Sequence, residues 1–118
     1  MISIDLFRNE DRFQTFAKDD LVFREGEPGD TMYVVIEGVV DLEVKGRTVE
    51  TLGPGGVLGE MTMIDGSPRS ATAIVREAAK LVPIDQRRFK FLVQQTPNFS
   101  LQVMRLLADR LRRMDDRL

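Results

Sequence analysis

Glu60 and Arg69 sit near the two ends of one stretch, Gly59-Glu60-Met61-Thr62-Met63-Ile64-Asp65-Gly66-Ser67-Pro68-Arg69-Ser70-Ala71-Thr72. Its residue types suit the recognition of an anion and of hydroxyl groups. Glycine leads into Glu60, which opens a short apolar turn of helix, Met61–Ile64, and Asp65-Gly66-Ser67-Pro68 ends it. A helix start exposes unpaired backbone N–H groups at the positive end of a dipole, a natural seat for phosphate. Arg69, arriving just before the next strand, can add a planar fork of donors to the same anion. Glu60 has the opposite character, an acceptor-only carboxylate suited to sugar hydroxyls. Donor nest, arginine and carboxylate together fit a small ligand carrying both phosphate and ribose. Each residue also has a plainer reading. Arg69 could be a surface ion pair, Glu60 a solvated carboxylate favoured by the dipole, and Ser70 a hydroxyl bonded to its own backbone. Met61, Met63 and Ile64 read as core packing.

Composition narrows the chemistry around this stretch. The 118 residues fit one domain, and 42% hydrophobic content is enough for one ordinary core. Charged residues make up 31% of the chain but are interspersed, with a net charge of -2, so there is no basic footprint for nucleic acid. No apolar run reaches the ~18–20 residues of a membrane span. The N-terminus, Met1-Ile2-Ser3-Ile4-Asp5, lacks the basic and apolar regions of a signal peptide. The expected location is the cytoplasm, of a bacterium. There is no cysteine and no histidine. That removes disulfides and thiolate sites, histidine metal sites and the commonest general base with its Ser–His and Cys–His arrangements. Carboxylates, lysine and tyrosine remain, but the expectation is a non-enzyme.

The elements that must position the stretch are β-rich. Leu21-Val22-Phe23 precedes a turn at Glu25-Gly26-Glu27-Pro28-Gly29-Asp30. Met32–Ile36 is a strand rich in β-branched residues, separated by Gly38 from Val39–Val44, where Val40, Leu42 and Val44 alternate with Asp41 and Glu43. Lys45-Gly46 turns into Arg47–Leu52, and Gly53-Pro54-Gly55-Gly56 breaks the chain again. Ala71–Arg76 and Lys80–Ile84 read as two later strands. So many short strands predict an antiparallel sandwich or barrel. Phe7, Phe13 and Phe16 suggest that residues 1–16 pack onto it. Asp85 is a candidate N-cap for a helix carrying Phe89, Leu92 and Val93. Thr96-Pro97 stops that helix and starts a last one, with Thr96 as cap and Pro97 in its first turn.

With Glu60, Arg69-Ser70-Ala71 and the run Phe23–Gly38, the chain resembles cyclic-nucleotide-binding domains, the family of the catabolite activator protein and the protein kinase A regulatory subunits. The resemblance covers about residue 16 to the end. It implies a mainly β fold: an antiparallel jelly-roll-like β-barrel over about 16–84, a short phosphate-cassette helix, and two C-terminal α-helices over about 85–117. It implies a sensor for cAMP or cGMP with no cofactor and no catalysis. By position, Glu60 would accept from the ribose 2′-hydroxyl and Arg69 would pair with the cyclic phosphate. Backbone N–H groups near Met61, Thr62 and Ser70 would complete the phosphate site, with Gly59 counted among the ligand-binding positions, and the Ser70 hydroxyl could approach phosphate or base. Gly26, Gly38 and Gly59 match structural glycines. Two positions depart from the commoner pattern. Leu58 stands where an aromatic is usual, and Thr62 where alanine or glycine is usual, so Thr62 either adds a hydrogen bond or crowds the ligand. The helix before the barrel is shortened.

The last helix carries two apolar strips. Met104, Leu107, Leu111, Met114 and Leu118 recur at heptad spacing, a candidate homodimer seam, and Phe99, Val103 and Leu106 could face the barrel. The competing reading packs the whole stripe within one subunit. Arg105, Arg110, Arg112, Arg113 and Arg117 make the end basic, but Arg105–Asp109, Asp109–Arg113 and Arg112–Asp116 stand four apart, the spacing of surface ion pairs. That favours a solvated face over a nucleic-acid patch. Four functions compete: a cyclic-nucleotide sensor; the sensor part of a transcription regulator, without direct DNA binding because the chain ends in this helix; a cupin-like enzyme, which would need metal-binding histidines; and a degenerate dimerisation module that binds nothing.

Overall fold

A computed structural model describes Phe7 and residues 12–116, with side chains described as far as Arg113. The elements run β1 (Gln14–Phe16), β2 (Leu21–Phe23), β3 (Thr31–Val44), β4 (Arg47–Leu52), β5 (Val57–Leu58), α1 (Glu60–Asp65), β6 (Thr72–Asp85), α2 (Gln86–Gln95) and α3 (Pro97–Asp116). All pairings are antiparallel. The strand order is β1-β6-β3-β4, with β2 added to β6 and β5 to β3. The sheet rolls around its inner face without closing into a barrel.

The spine is the pair β3–β6. Sequence patterning divides each into two strands; in the structure each is a single strand of 14 residues. Gly38 does not end β3. It sits where the β3–β6 register slips, between Val35 and Val40, and the slip changes which side chains face inward. Before it, Tyr33 and Val35 face one core cluster; after it, Val40, Leu42 and Val44 face that same cluster. In a regular pleat, odd and even positions face opposite sides, so the break keeps one inner face continuous through the bend. Gly38 has φ +92°, and a side chain there would run into the Ala78 carbonyl and Ala79.

The other face of the spine carries a second cluster. Met32, Val34, Val82 and Ile84 pack there with Met63 of α1, Leu92 of α2, and Phe99, Val103 and Leu106 of α3. The second strip read on the last helix is therefore buried as expected. Phe7 joins this cluster and Phe16 the other, whereas Phe13 is exposed, with Lys80 over its ring. Asp85 caps α2, its Oδ1 accepting from the Arg88 N–H at 2.8 Å. Leu92 is buried and Val93 exposed.

Three expectations need correction. Of Met61, Met63 and Ile64 only Met63 is core; Met61 and Ile64 are exposed. On α3, Leu107 packs against the core while Met104 and Leu111 face outward; the Met114 side chain and Leu118 lie outside the described residues. Of the four-apart ion pairs, neither Arg105–Asp109 nor Asp109–Arg113 forms between side chains among the described residues, and the Asp116 side chain of the third, Arg112–Asp116, lies outside them. Arg112 pairs with Asp109 three residues back, Arg113 reaches the Asp109 carbonyl, and Arg110 leaves the helix surface altogether. No helix among the described residues is long and apolar enough to cross a membrane.

Candidate functional site

Arg69 is held at its backbone before its side chain does anything. Its N–H donates to the Glu27 carbonyl and its carbonyl accepts from the Gly26 N–H, both at 2.8 Å. The Glu25 N–H donates to Thr72 Oγ1 at 2.9 Å. The turn after β2 is thus stitched to the segment entering β6. From that anchor the Arg69 side chain runs between two glycines. A Cβ at Gly29 would collide with its guanidinium, and one at Gly59 would sit 2.7 Å from Nη1. At Gly59 glycine is required by φ +81° and by the Thr31 carbonyl, 3.0 Å from such a Cβ, whereas at Gly29 a side chain would displace the guanidinium. The guanidinium lies 4.2 Å from the centroid of the Phe23 ring, a stacking that suits its planar, weakly hydrated charge.

That charge is poorly compensated. Arg69 is 6% exposed and, among the described residues, makes no salt bridge. Its side chain makes one long hydrogen bond, Nη1 to the Gly59 carbonyl at 3.4 Å. Burial pulls its pKa below the usual arginine value, opposed in part by Tyr33, Asp30 and Glu27. Desolvation of a charge with no counter-ion within ion-pair reach is unfavourable, and an anion would relieve it.

Glu60, the first residue of α1, is 3% exposed. Its Oε1 accepts from Arg110 Nη1 of α3. The same guanidinium donates through Nε to Glu50 Oε1 at 3.0 Å and through Nη2 to the Val57 carbonyl at 2.9 Å. The N-cap of α1 is Gly59, with no side-chain cap bond, so the first-turn N–H groups have no capping side chain to satisfy them.

Arg69 and Glu60 line one cavity of about 600 Å³. Gly59, Met61, Thr62 and Ser70 line it as well, so all six site residues expected from the sequence come together. Thr62 is buried, while Met61 and Ser70 are exposed. The remaining wall is mostly apolar, built from Phe23, Leu42, Val44 and Val49 on one side and Leu107 and Leu111 of α3 on the other. Leu58, one of the two departures from the family pattern, is fully buried in the core and does not line the cavity. Thr62, the other, does.

Sequence reasoning missed Glu50, Arg110 and the close approach at Gly29. Arg110 carries no distinguishing signal in the chain, because its partners lie 60 and 50 residues upstream and helix spacing assigns it to a solvated face.

The model of one protein family, the cyclic nucleotide-binding domain, matches residues 13–96. The chain is similar to the CRP-like cAMP-activated global transcriptional regulator of Mycobacterium tuberculosis, 32% identical over 108 residues, covering 87% of this chain and 48% of that protein. It is similar to a cyclic nucleotide-gated potassium channel of Mesorhizobium japonicum, 37% identical over 89 residues, covering 75% of this chain and 24% of the channel. Its fold matches the crystal structure of the catabolite activator protein of Thermus thermophilus with a TM-score of 0.82 and 31% identity, over 95% of this chain and 55% of that one. The chain thus spans about half the length of the two regulators and a quarter of the channel.

Proposed function

The chain belongs to the cyclic nucleotide-binding domain family, and from that membership we propose that it is a non-catalytic sensor whose cavity takes cAMP or cGMP. One observation carries this reading: the buried Arg69 guanidinium lines a cavity, lacks a carboxylate partner among the described residues, and shares that cavity with the buried carboxylate of Glu60. The cyclic phosphate lies against Arg69 and the backbone N–H groups of Met61, Thr62 and Ser70. The 2′-hydroxyl donates to Glu60. The base takes the apolar part of the cavity between Leu42, Val44 and Val49 and the α3 side chains. Phosphate thus meets the charge that needs compensation, and the base meets apolar surface.

The test is calorimetric titration of the purified protein, freed of copurified nucleotide, with cAMP and with cGMP. Saturable one-to-one binding of at least one is expected, and the tighter one names the signal. An absence of heat from both, with no change in melting temperature, removes the sensor reading.

The similar proteins attach this kind of domain to different outputs, one a transcriptional regulator and one a potassium channel. A sensor part serving an output elsewhere fits that pattern. The outward strip of α3 supports a second element of the reading. Leu101, Met104 and Leu111 are exposed and lie on one helical face, which fits a homodimer formed through α3. In sedimentation at micromolar concentration we expect a particle of twice 13.4 kDa, reduced to one chain by joint Leu101→Glu and Met104→Glu substitution, two positions outside the cavity wall. A wild-type monomer at those concentrations removes the dimer.

A further inference from the structure

Thr62 is a buried polar residue, 6% exposed, and the next residue along α1, Met63, belongs to the core. In a helix a threonine hydroxyl commonly bonds the carbonyl three or four residues back. Here those carbonyls belong to Gly59 and Leu58, and neither receives that bond. Among the described residues the Thr62 hydroxyl has no hydrogen-bond partner at all. Yet among these residues no fully enclosed side-chain oxygen or nitrogen lacks one, so this hydroxyl opens onto a space. Thr62 lines the cavity shared by Arg69 and Glu60, and that is the space it opens onto. A hydroxyl held largely out of water without a partner is unfavourable, and an acceptor in the cavity relieves it.

We propose that the Thr62 hydroxyl donates to an exocyclic oxygen of the cyclic phosphate and makes the site select for oxygen at that position; the proposal rests on the nucleotide reading above. Position assigns Thr62 to the phosphate and not to the sugar. Gly59 abuts Arg69: a Cβ there would sit 2.7 Å from Nη1, and the Gly59 carbonyl accepts from that same nitrogen at 3.4 Å. Thr62 follows Gly59 by three residues, the spacing that brings positions onto one face of a helix. Glu60 and Thr62 are two apart, a spacing at which side chains diverge, and Glu60 turns to Arg110 of α3. Guanidinium and hydroxyl therefore meet one anion from neighbouring places. Arg69 supplies the charge, and the hydroxyl adds a directed bond to an ionised acceptor. A β-branched side chain has few rotamers to lose on binding. Of the two roles the sequence leaves open for Thr62, an added bond or crowding, the unpartnered hydroxyl favours the bond.

The experiment titrates the wild type, Thr62→Val and Thr62→Ser with whichever of cAMP and cGMP binds tighter, and with its Sp and Rp phosphorothioates. In each of these, sulfur, a weaker acceptor, replaces one exocyclic oxygen. Valine keeps the shape of threonine without the hydroxyl. Thr62→Val should weaken the parent nucleotide by about tenfold, the usual effect of losing a hydrogen bond to a charged group. Thr62→Ser, which keeps the hydroxyl, should recover most of that loss. One phosphorothioate should be weakened as much as the parent, and the other, whose sulfur meets position 62, clearly less. The melting temperature of free Thr62→Val should not fall, because its hydroxyl has no protein partner to lose; a fall would mark a structural hydroxyl and overturn the proposal. Thr62→Ala keeps the test available should Thr62→Val fail to fold. Unchanged affinity of Thr62→Val for the parent nucleotide overturns the proposal, and so does one common factor for the parent and both phosphorothioates. A wild type that binds neither nucleotide brings down the sensor reading together with this one.

Discussion

Replacing Arg69 with alanine should lower cyclic-nucleotide affinity by about 30-fold or more while the protein stays folded. Removing one partner of a buried charge pair costs about 2–5 kcal/mol, and 2 kcal/mol corresponds to about 30-fold. Much of that arises because the cyclic phosphate would enter a cavity whose other largely buried guanidinium, that of Arg110, is already held by Glu60 and Glu50. The fold should tolerate the change because, among the described residues, Arg69 has no salt bridge to break. What disappears is a stacking contact on Phe23, worth about 0.5–2 kcal/mol, together with the unfavourable desolvation of the charge itself. These oppose each other. The backbone bonds at position 69, to Gly26 and Glu27, do not depend on the side chain. Calorimetry and thermal melting separate the two consequences. The ligand-induced rise in melting temperature should vanish, and the melting temperature of the free protein should stay near that of the wild type. Affinity within twofold of wild type would show that the phosphate does not sit on Arg69.

Gly38→Ala should have the largest effect on stability, about 2–5 kcal/mol. Two penalties combine. A residue with a Cβ held at φ +92° is strained by about 1–3 kcal/mol. The new methyl would also meet the Ala78 carbonyl and the Cα and Cβ of Ala79 across the β3–β6 pair, and overpacking costs about 1–3 kcal/mol. Two of those contacts are backbone atoms in a paired strand, with no flexible side chain to swing away. For a domain of this length 1 kcal/mol moves the melting temperature by about 4 °C, so a drop of roughly 8–20 °C is expected in a thermal melt. Gly46→Ala makes a useful comparison, because it also has a positive φ, +78°, but a Cβ there meets nothing within 4 Å. It should show the conformational strain alone. Equal effects at the two positions would mean that close packing at the bend plays no part.

Much of the site was legible because it is compact along the chain. Gly59, Glu60, Met61, Thr62, Arg69 and Ser70 fall within one turn of helix and the loop that follows, where a residue's type and its neighbours nearly determine its conformation. The same holds for the Asp85 cap and for the buried strip Phe99, Val103 and Leu106, where helix periodicity alone selects the inward face. Strand boundaries were less legible. Glycine and mixed polarity around residues 38 and 77–79 read as breaks, yet hydrogen bonds to a partner strand carry β3 and β6 straight through, since pairing is a property of two segments. The dimer seam was half legible. A 3-4 repeat on α3 does not say which apolar residues the subunit keeps, and Leu107 went to the core while Met104 and Leu111 stayed outside.

By itself, the sequence determined the family, the mainly β architecture ending in two helices, and six residues that line one cavity, because those depend on local order along the chain. Only the tertiary structure decided the partners of those residues. It put Arg69 in the gap between Gly29 and Gly59, and it brought Arg110 from the last helix onto Glu60 and Glu50. The physical reason is that a long, flexible arginine gains most where it can satisfy two desolvated carboxylates at once. That place exists only after β4, α1 and α3, separated by 50 and 60 residues, have packed around a common cavity.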